Sequence, residues 1–173
     1  MPNWCANTLS IRTDMQHLQP MLQEIKARFS DPESDAQNSA FNFIHPMPAE
    51  LEGTIAPSDD GNDWYSWRIQ NWGTKWPETS PSIIAESERH LLVSFDTAWA
   101  PPFGVYERLL NFGFEVVATY AECGMGFAGV YRNGEDIELP IEYMPEKEDS
   151  EMLQQAFAGQ GLPEEMLPPH LGG

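Results

Sequence analysis

Residues 90–123, HLLVSFDTAWAPPFGVYERLLNFGFEVVATYAEC, read as strand, helix and strand in that order. His90–Thr97 is β-rich, and polar residues Ser87–Arg89 turn back to a second β-rich run, Ser82–Glu86, which makes a hairpin. Pro101, Pro102 and Gly104 open a helix that carries Val105, Leu109 and Leu110 inward and ends at Gly113. Phe114–Cys123 returns as a strand. Beyond it, Phe127–Arg132 and Glu135–Leu139 flank Asn133-Gly134, the strongest short hairpin signal in the chain.

Upstream, Asn3–Arg12 alternates, with Cys5, Asn7, Leu9 and Ile11 on one face and Trp4, Ala6, Thr8 and Ser10 on the other, as a strand requires. Asp14 is placed to cap a helix running to about Ser30 on an apolar face of Leu18, Met21, Leu22, Ile25 and Phe29. Pro20 either bends this helix or delays its start by a turn, because proline is tolerated only in the first turn. The order strand, helix, two strands, helix, strand predicts an α+β fold. Its pattern is a ferredoxin-like split β-α-β antiparallel sheet with a long insertion after the first helix and an added C-terminal β-hairpin. The predicted domain is 1–142, with the insertion at 31–81. Residues 143–173 are then an acidic, partly helical tail, helical over Lys147–Ala158 and loosely held at its end. Within the insertion, WYSWRIQNWGTKW (64–76) predicts a short helix ending near Trp72, with Gly73 suited to its C-terminus.

In the sheet order 4-1-3-2 the start of strand one, the lead into strand two and the ends of strands three and four share one edge. That edge collects Asn3, Trp4, Asn7, Asn71, Trp72, Thr74, Lys75, Trp76, Thr97, Trp99 and Glu122. Two roles fit these residues. They fill a second small core whose polar members satisfy turns, or they wall a pocket with Lys75 and Glu122 as an ion pair or acid/base pair. The same geometry predicts Cys5 and Cys123 as neighbours on adjacent strands, both reduced. Strand two lies at the side of the sheet and needs a cover, from the insertion or from a second copy.

The segments MPNWCAN, NWGTKW, TAWAPP and YAECGMGFAG resemble the YubB-like ferredoxin-like domain family found on plasmids and phages, over about Met1–Tyr131. The resemblance implies the fold and a mobile-element origin. It implies no biochemical activity.

Nine Lys and Arg stand against 27 Asp and Glu, for a net charge of −18 in 173 residues. Residues 133–173 hold ten of the acids and one Lys. Such a surface repels phosphate backbones, so direct binding of nucleic acid is disfavoured. The acidity serves solubility, or it meets a partner whose basic surface ordinarily holds DNA or RNA. The four histidines are far apart, without metal-ligand spacing, and no cofactor motif is present; GMGFAG after Glu122 leads into a strand and reads as a bulge or tight turn. With no long apolar run and no leader pattern, the expectation is a cytoplasmic protein with no membrane contact. It is expected to be non-catalytic and to bind a protein with a basic surface. The alternative is a small-ligand or catalytic pocket at the tryptophan-rich edge.

Overall fold

Strand β1 (Trp4–Arg12) is paired on both sides. It runs antiparallel to β3 (His90–Ala98) from Trp4 opposite Ala98 to Arg12 opposite His90. It also runs antiparallel to β4 (Glu115–Glu122) from Ala6 opposite Ala121 to Arg12 opposite Glu115. In this computed structural model, which describes residues 3–139, 141 and 150–167, β2 (Thr79–Glu86), β5 (Phe127–Arg132) and β6 (Glu135–Leu139) complete a six-stranded open antiparallel sheet. Its order is β2-β3-β1-β4-β5-β6.

The alternation of β1 sends Leu9 and Ile11 to one face, where Leu91, Val93 and Phe95 of β3 and Val116 and Ala118 of β4 join them. Two helices cover this face. α1 (Gln19–Phe29) contributes Leu22, Ile25 and Phe29, and α4 (Phe103–Phe112) contributes Val105, Tyr106 and Leu109. The helix expected from Asp14 begins later. A 3-10 turn, Gln16–Leu18, precedes α1, and Pro20 lies in the first helical turn, where its missing N–H has no bond to break. Asp14 is therefore no cap; it faces solvent with Arg89 3.8 Å away.

The opposite face is not open. Thr8, Ser10 and Thr119 are buried there, and Thr119 Oγ1 donates to the Met166 carbonyl at 2.7 Å. α5 (Ser150–Ala158) packs Leu153 and Phe157 with Ala121, Ala128, Val130 and Leu139. The helix expected here is thus present over Ser150–Ala158, held by an apolar i, i+4 pair, and the loosely held end expected after it is corrected over 162–167, where Met166 is buried against the sheet. Lys147, the expected start of this helix, lies outside the described residues.

The insertion carries two helices, α2 (Ala40–Ile44) and α3 (Trp64–Asn71), with a 3-10 turn at Ala49–Leu51 between them. Ser39 caps α2 by accepting from the Asn42 N–H, and Asp63 caps α3 by accepting from the Ser66 N–H. Backbone donors from Ser58 and Ser66 hold the Asp63 carboxyl below its ordinary range. Phe41 meets Trp72 and Phe95 edge-on, at 6.0 and 5.5 Å between ring centres, so the insertion is built into the main core. Its junction with α4 is close. A Cβ added at Gly104 would lie 1.9 Å from the Asn71 carbonyl oxygen, a fixed backbone atom. Gly104→Ala is expected to cost about 3 kcal/mol or more, at the upper end of overpacking effects, in urea unfolding. Gly159→Ala, with open space around it, is the control and should leave the midpoint unchanged.

Glu78, just before β2, turns into the insertion and accepts from the Ala40 N–H at 2.5 Å and the Phe41 N–H at 3.2 Å. Burial pushes its carboxyl up to about 7, against the lowering effect of those donors. A raised folded value above an unfolded value of about 4.3 contributes stability that is complete below pH about 4.3 and is lost as pH rises through about 7. Glu78→Gln should remove this component. Between pH 4.5 and 7.5 the parent is expected to lose stability relative to the variant by chemical denaturation; parallel curves would refute it.

Candidate functional site

At the end of the sheet where β1 begins, three hydrogen bonds shape the rim. The Trp99 N–H donates to the Asn3 carbonyl at 2.9 Å, the Thr97 hydroxyl to the Ala100 carbonyl at 2.7 Å, and the Thr74 hydroxyl to the Ala98 carbonyl at 3.0 Å. The segments carrying Trp4, Trp76 and Trp99 are thereby tied to one another. The consequence is an aromatic shelf. Trp4 and Trp76 stand 6.0 Å apart between ring centres, and Trp76 stacks on Trp99 at 6.4 Å and 29°. Trp4 and Trp99 are each 41% exposed, and Met125, at the same sheet end, is 69% exposed.

Trp99 holds a left-handed backbone, φ +67, which a bulky side chain rarely adopts. Its ring packs on Trp76 yet stays 41% exposed, so the strained backbone holds an aromatic face partly in solvent. Lys75 completes the shelf. Its ammonium lies 4.7 Å from the Trp76 ring centre, 5.5 Å from Trp99 and 5.6 Å from Tyr65. It makes no salt bridge among the described residues.

The residues grouped by sequence divide into three sets here. Trp4, Lys75, Trp76 and Trp99 form the shelf. Asn7, Thr97, Thr74 and Trp72 are interior: Asn7 Nδ2 donates to Thr97 Oγ1 and to the Cys5 carbonyl at 2.9 Å each, and its Oδ1 accepts from Tyr106 at 3.2 Å. Trp72 is fully buried and donates to the His45 carbonyl at 2.9 Å, while Asn71 Nδ2 closes α3 by donating to the Trp67 carbonyl. The third set is a turn. Glu122 is buried and accepts from the N–H groups of Gly124 and Met125 at 2.7 and 2.6 Å. A Cβ on Gly124 would lie 2.8 Å from the Glu122 carboxylate and 3.0 Å from Asn3 Nδ2, so both side chains pack against this glycine. No salt bridge joins Lys75 to Glu122 among the described residues, so the ion pair of the pocket alternative does not form. Both carboxylate oxygens of Glu122 are taken by backbone donors.

Cys5 on β1 and Cys123, directly after the adjacent β4, lie at this end but on opposite faces of the sheet and form no disulfide. Burial pushes the Cys5 thiol far above its ordinary value, with Glu122 adding to the effect, so Cys5 is no nucleophile. Among the described residues, Asn71 of those expected at the site lines a cavity of about 210 Å³, and cavities of about 650, 560 and 340 Å³ lie elsewhere. Sequence reasoning missed Arg68, nearly buried with its guanidinium 4.9 Å from the Trp64 ring centre and 5.1 Å from Trp72. The signal was present as Trp64, Arg68 and Trp72 at successive i, i+4 steps.

The arrangement defines an α+β protein with one antiparallel sheet and an exposed aromatic shelf at one end of it. No protein-family model matches the chain, and no curated protein does. A solved structure, protein api92 from Yersinia pseudotuberculosis, of the DUF1281 family, is similar in fold. The two share 10% identity at a TM-score of 0.52, over 84% of this chain and 100% of the other. At that identity the likeness concerns the fold alone.

The two kinds of tryptophan are separable by stability. Trp72→Ala is expected to cost about 3–5 kcal/mol as a truncation in a packed core. Trp99→Gly loses stacking of about 0.5–1.5 kcal/mol but relieves backbone strain of about 1–3 kcal/mol. Thermal unfolding should therefore show the second variant as stable as the parent or more so.

Proposed function

We propose that this chain is a non-catalytic accessory protein of a mobile genetic element that binds another protein through the tryptophan shelf. The partner presents a basic surface, one that in other settings holds nucleic acid. The observation that carries this reading is the exposure of Trp4 and Trp99 on a rim held by hydrogen bonds, with Trp99 in a strained backbone. Tryptophan is enriched among residues that dominate binding at protein interfaces, and exposed aromatic faces accept arginine guanidinium groups. The net charge of −18 complements such a partner and speeds encounter with it. Part of the acidity is ordered: Glu135, Asp136 and Glu138 lie in edge strand β6, where Asp136 accepts from the Tyr120 hydroxyl at 2.6 Å.

The finer fold assignment belongs to the same reading. The order β4-β1-β3-β2 with α1 and α4 on one face supports a ferredoxin-like split β-α-β unit, extended by the β5-β6 hairpin. The resemblance of MPNWCAN, NWGTKW, TAWAPP and YAECGMGFAG to YubB-like domains supports the mobile-element origin. A ligand pocket at this edge has less support, because Asn7, Thr74 and Thr97 commit their polar atoms to internal hydrogen bonds.

The test is a titration of labelled nona-arginine peptide with the parent and a Trp4→Ala/Trp99→Ala double variant of identical net charge. The parent should bind in a salt-dependent manner. The double variant should bind at least about tenfold more weakly, which corresponds to a loss of about 1.4 kcal/mol across the two aromatics. Equal binding by both would leave charge alone as the cause and overturn the shelf as the contact.

A further inference from the structure

The far end of β1 holds a second feature, roughly 27 Å from the shelf at about 3.4 Å per residue along nine residues. There the end of β1, the β2-β3 turn and the start of β4 border an open cavity of about 560 Å³, at which Arg12, Asp14, Arg89 and Glu115 are solvent-exposed. Arg12, Arg89, His90 and Ser87 line it as donors, and Asp14 and Glu115 line it as carboxylates.

Arg12 is the anomaly. Lys26 pairs with Glu86 and Arg28 with Glu24. Arg68, Lys75 and Arg108 lie over aromatic rings, and Arg132 donates to the Gln160 carbonyl. Arg89 has Asp14 at 3.8 Å. Arg12 alone, among the described residues, has no carboxylate within 4.0 Å, no ring beneath it and no hydrogen bond, although the chain carries three acids for every base. Glu115 sits directly opposite it in the strand register without closing on it. His90 is occupied differently: one ring nitrogen lies 3.0 Å from Ser10 Oγ, which anchors the ring to β1.

An uncommitted guanidinium in a cavity is a fork of N–H donors shaped for two oxygens of a carboxylate or phosphate. Asp14 and Glu115 decide between them. Two carboxylates beside the arginines repel a multiply charged phosphate, but they complement an ammonium group attached to the same ligand as the carboxylate. We propose that this cavity binds a small zwitterion of the amino-acid or short-peptide class, its carboxylate on Arg12 and Arg89 and its ammonium on Asp14 and Glu115. The site is independent of the shelf and of the proposed protein partner.

Amide chemical-shift titration of the full chain tests it, with L-alanine and dialanine as probes and with acetate, ethylammonium and inorganic phosphate as single-charge controls. Saturable shifts confined to 12–15, 87–90 and 113–115 are expected for the zwitterions, with acetate and ethylammonium much weaker. Arg12→Gln, a solvent-side change that leaves the fold intact, should weaken dialanine binding by about ten- to a hundredfold, the range for losing a charged hydrogen-bond partner. Asp14→Asn separates the ligand classes by sign: zwitterion binding should fall and phosphate binding rise. Trp99→Gly should change nothing here. Binding of phosphate but not of zwitterions, a gain in zwitterion affinity in Asp14→Asn, or unaltered binding in Arg12→Gln would each overturn the assignment.

Discussion

Strand β1 is confined on four sides, and the remaining architecture follows from that confinement. Hydrogen bonds to β3 and β4 fix its register along nearly its whole length, and both of its faces are buried from Asn7 to Ile11. A slip of one residue would exchange Leu9 and Ile11 for Thr8 and Ser10 against the helices, leaving hydroxyls in an apolar core. The two faces differ in kind. Large aliphatic residues meet α1 and α4, whereas the small side chains of Ala6, Thr8 and Ser10 let the C-terminal segment approach closely enough for Thr119 to reach the Met166 carbonyl. With the register set, the two ends of β1 are placed without further freedom: Trp4 at one, Arg12 at the other.

Much of this was legible in the chain because it is written in local patterns. Alternation located β1, Asn133-Gly134 located the β5-β6 turn, and Gly113, with φ +108, ended α4 as a left-handed C-terminal residue. Long-range consequences were less legible. Asp14 has the chemistry of an N-cap, but Pro20 moves the helix start past it. The helix near the C-terminus was legible, but the end after it reads as loosely held, although Met166 is buried and its carbonyl accepts from Thr119. Carboxylates on the outward face of a helix do not oppose packing of its inward face.

The grouping of the site residues shows where sequence reading stops. Sequence reading put four tryptophans in one group, but Trp4, Trp76 and Trp99 form the shelf while Trp72 lies in the core, and residue type does not reveal which is which. Trp72 follows α3 directly, and the helix directs its ring toward Phe41 and the His45 carbonyl. Trp99 follows β3, and the turn closed by Thr97 and Asn3 directs its ring outward. Only tertiary hydrogen bonds distinguish the two cases. The polar members divide for the same reason: Asn7 and Thr97 lie on the buried side of the strands that carry the rim, so they brace the site from beneath and take no part in its surface.

The exposed aromatic rim and the uncommitted arginine share a physical argument. A chain selected for stability alone would bury its tryptophans, which lowers the free energy of the folded state substantially, and would pair its scarce cations with its abundant acids, which lowers it a little. This chain does both in most places: Trp72 is buried, and Lys26 and Arg28 are paired. At the two ends of β1 it does neither. Trp99 holds a strained backbone and remains exposed, and Arg12 remains without a carboxylate that lies opposite it in register. These departures from local optimality stand at the two ends of a strand that is paired on both sides. They are where the surface is organised toward something outside the chain, aromatic and apolar at one end, charged in both signs at the other.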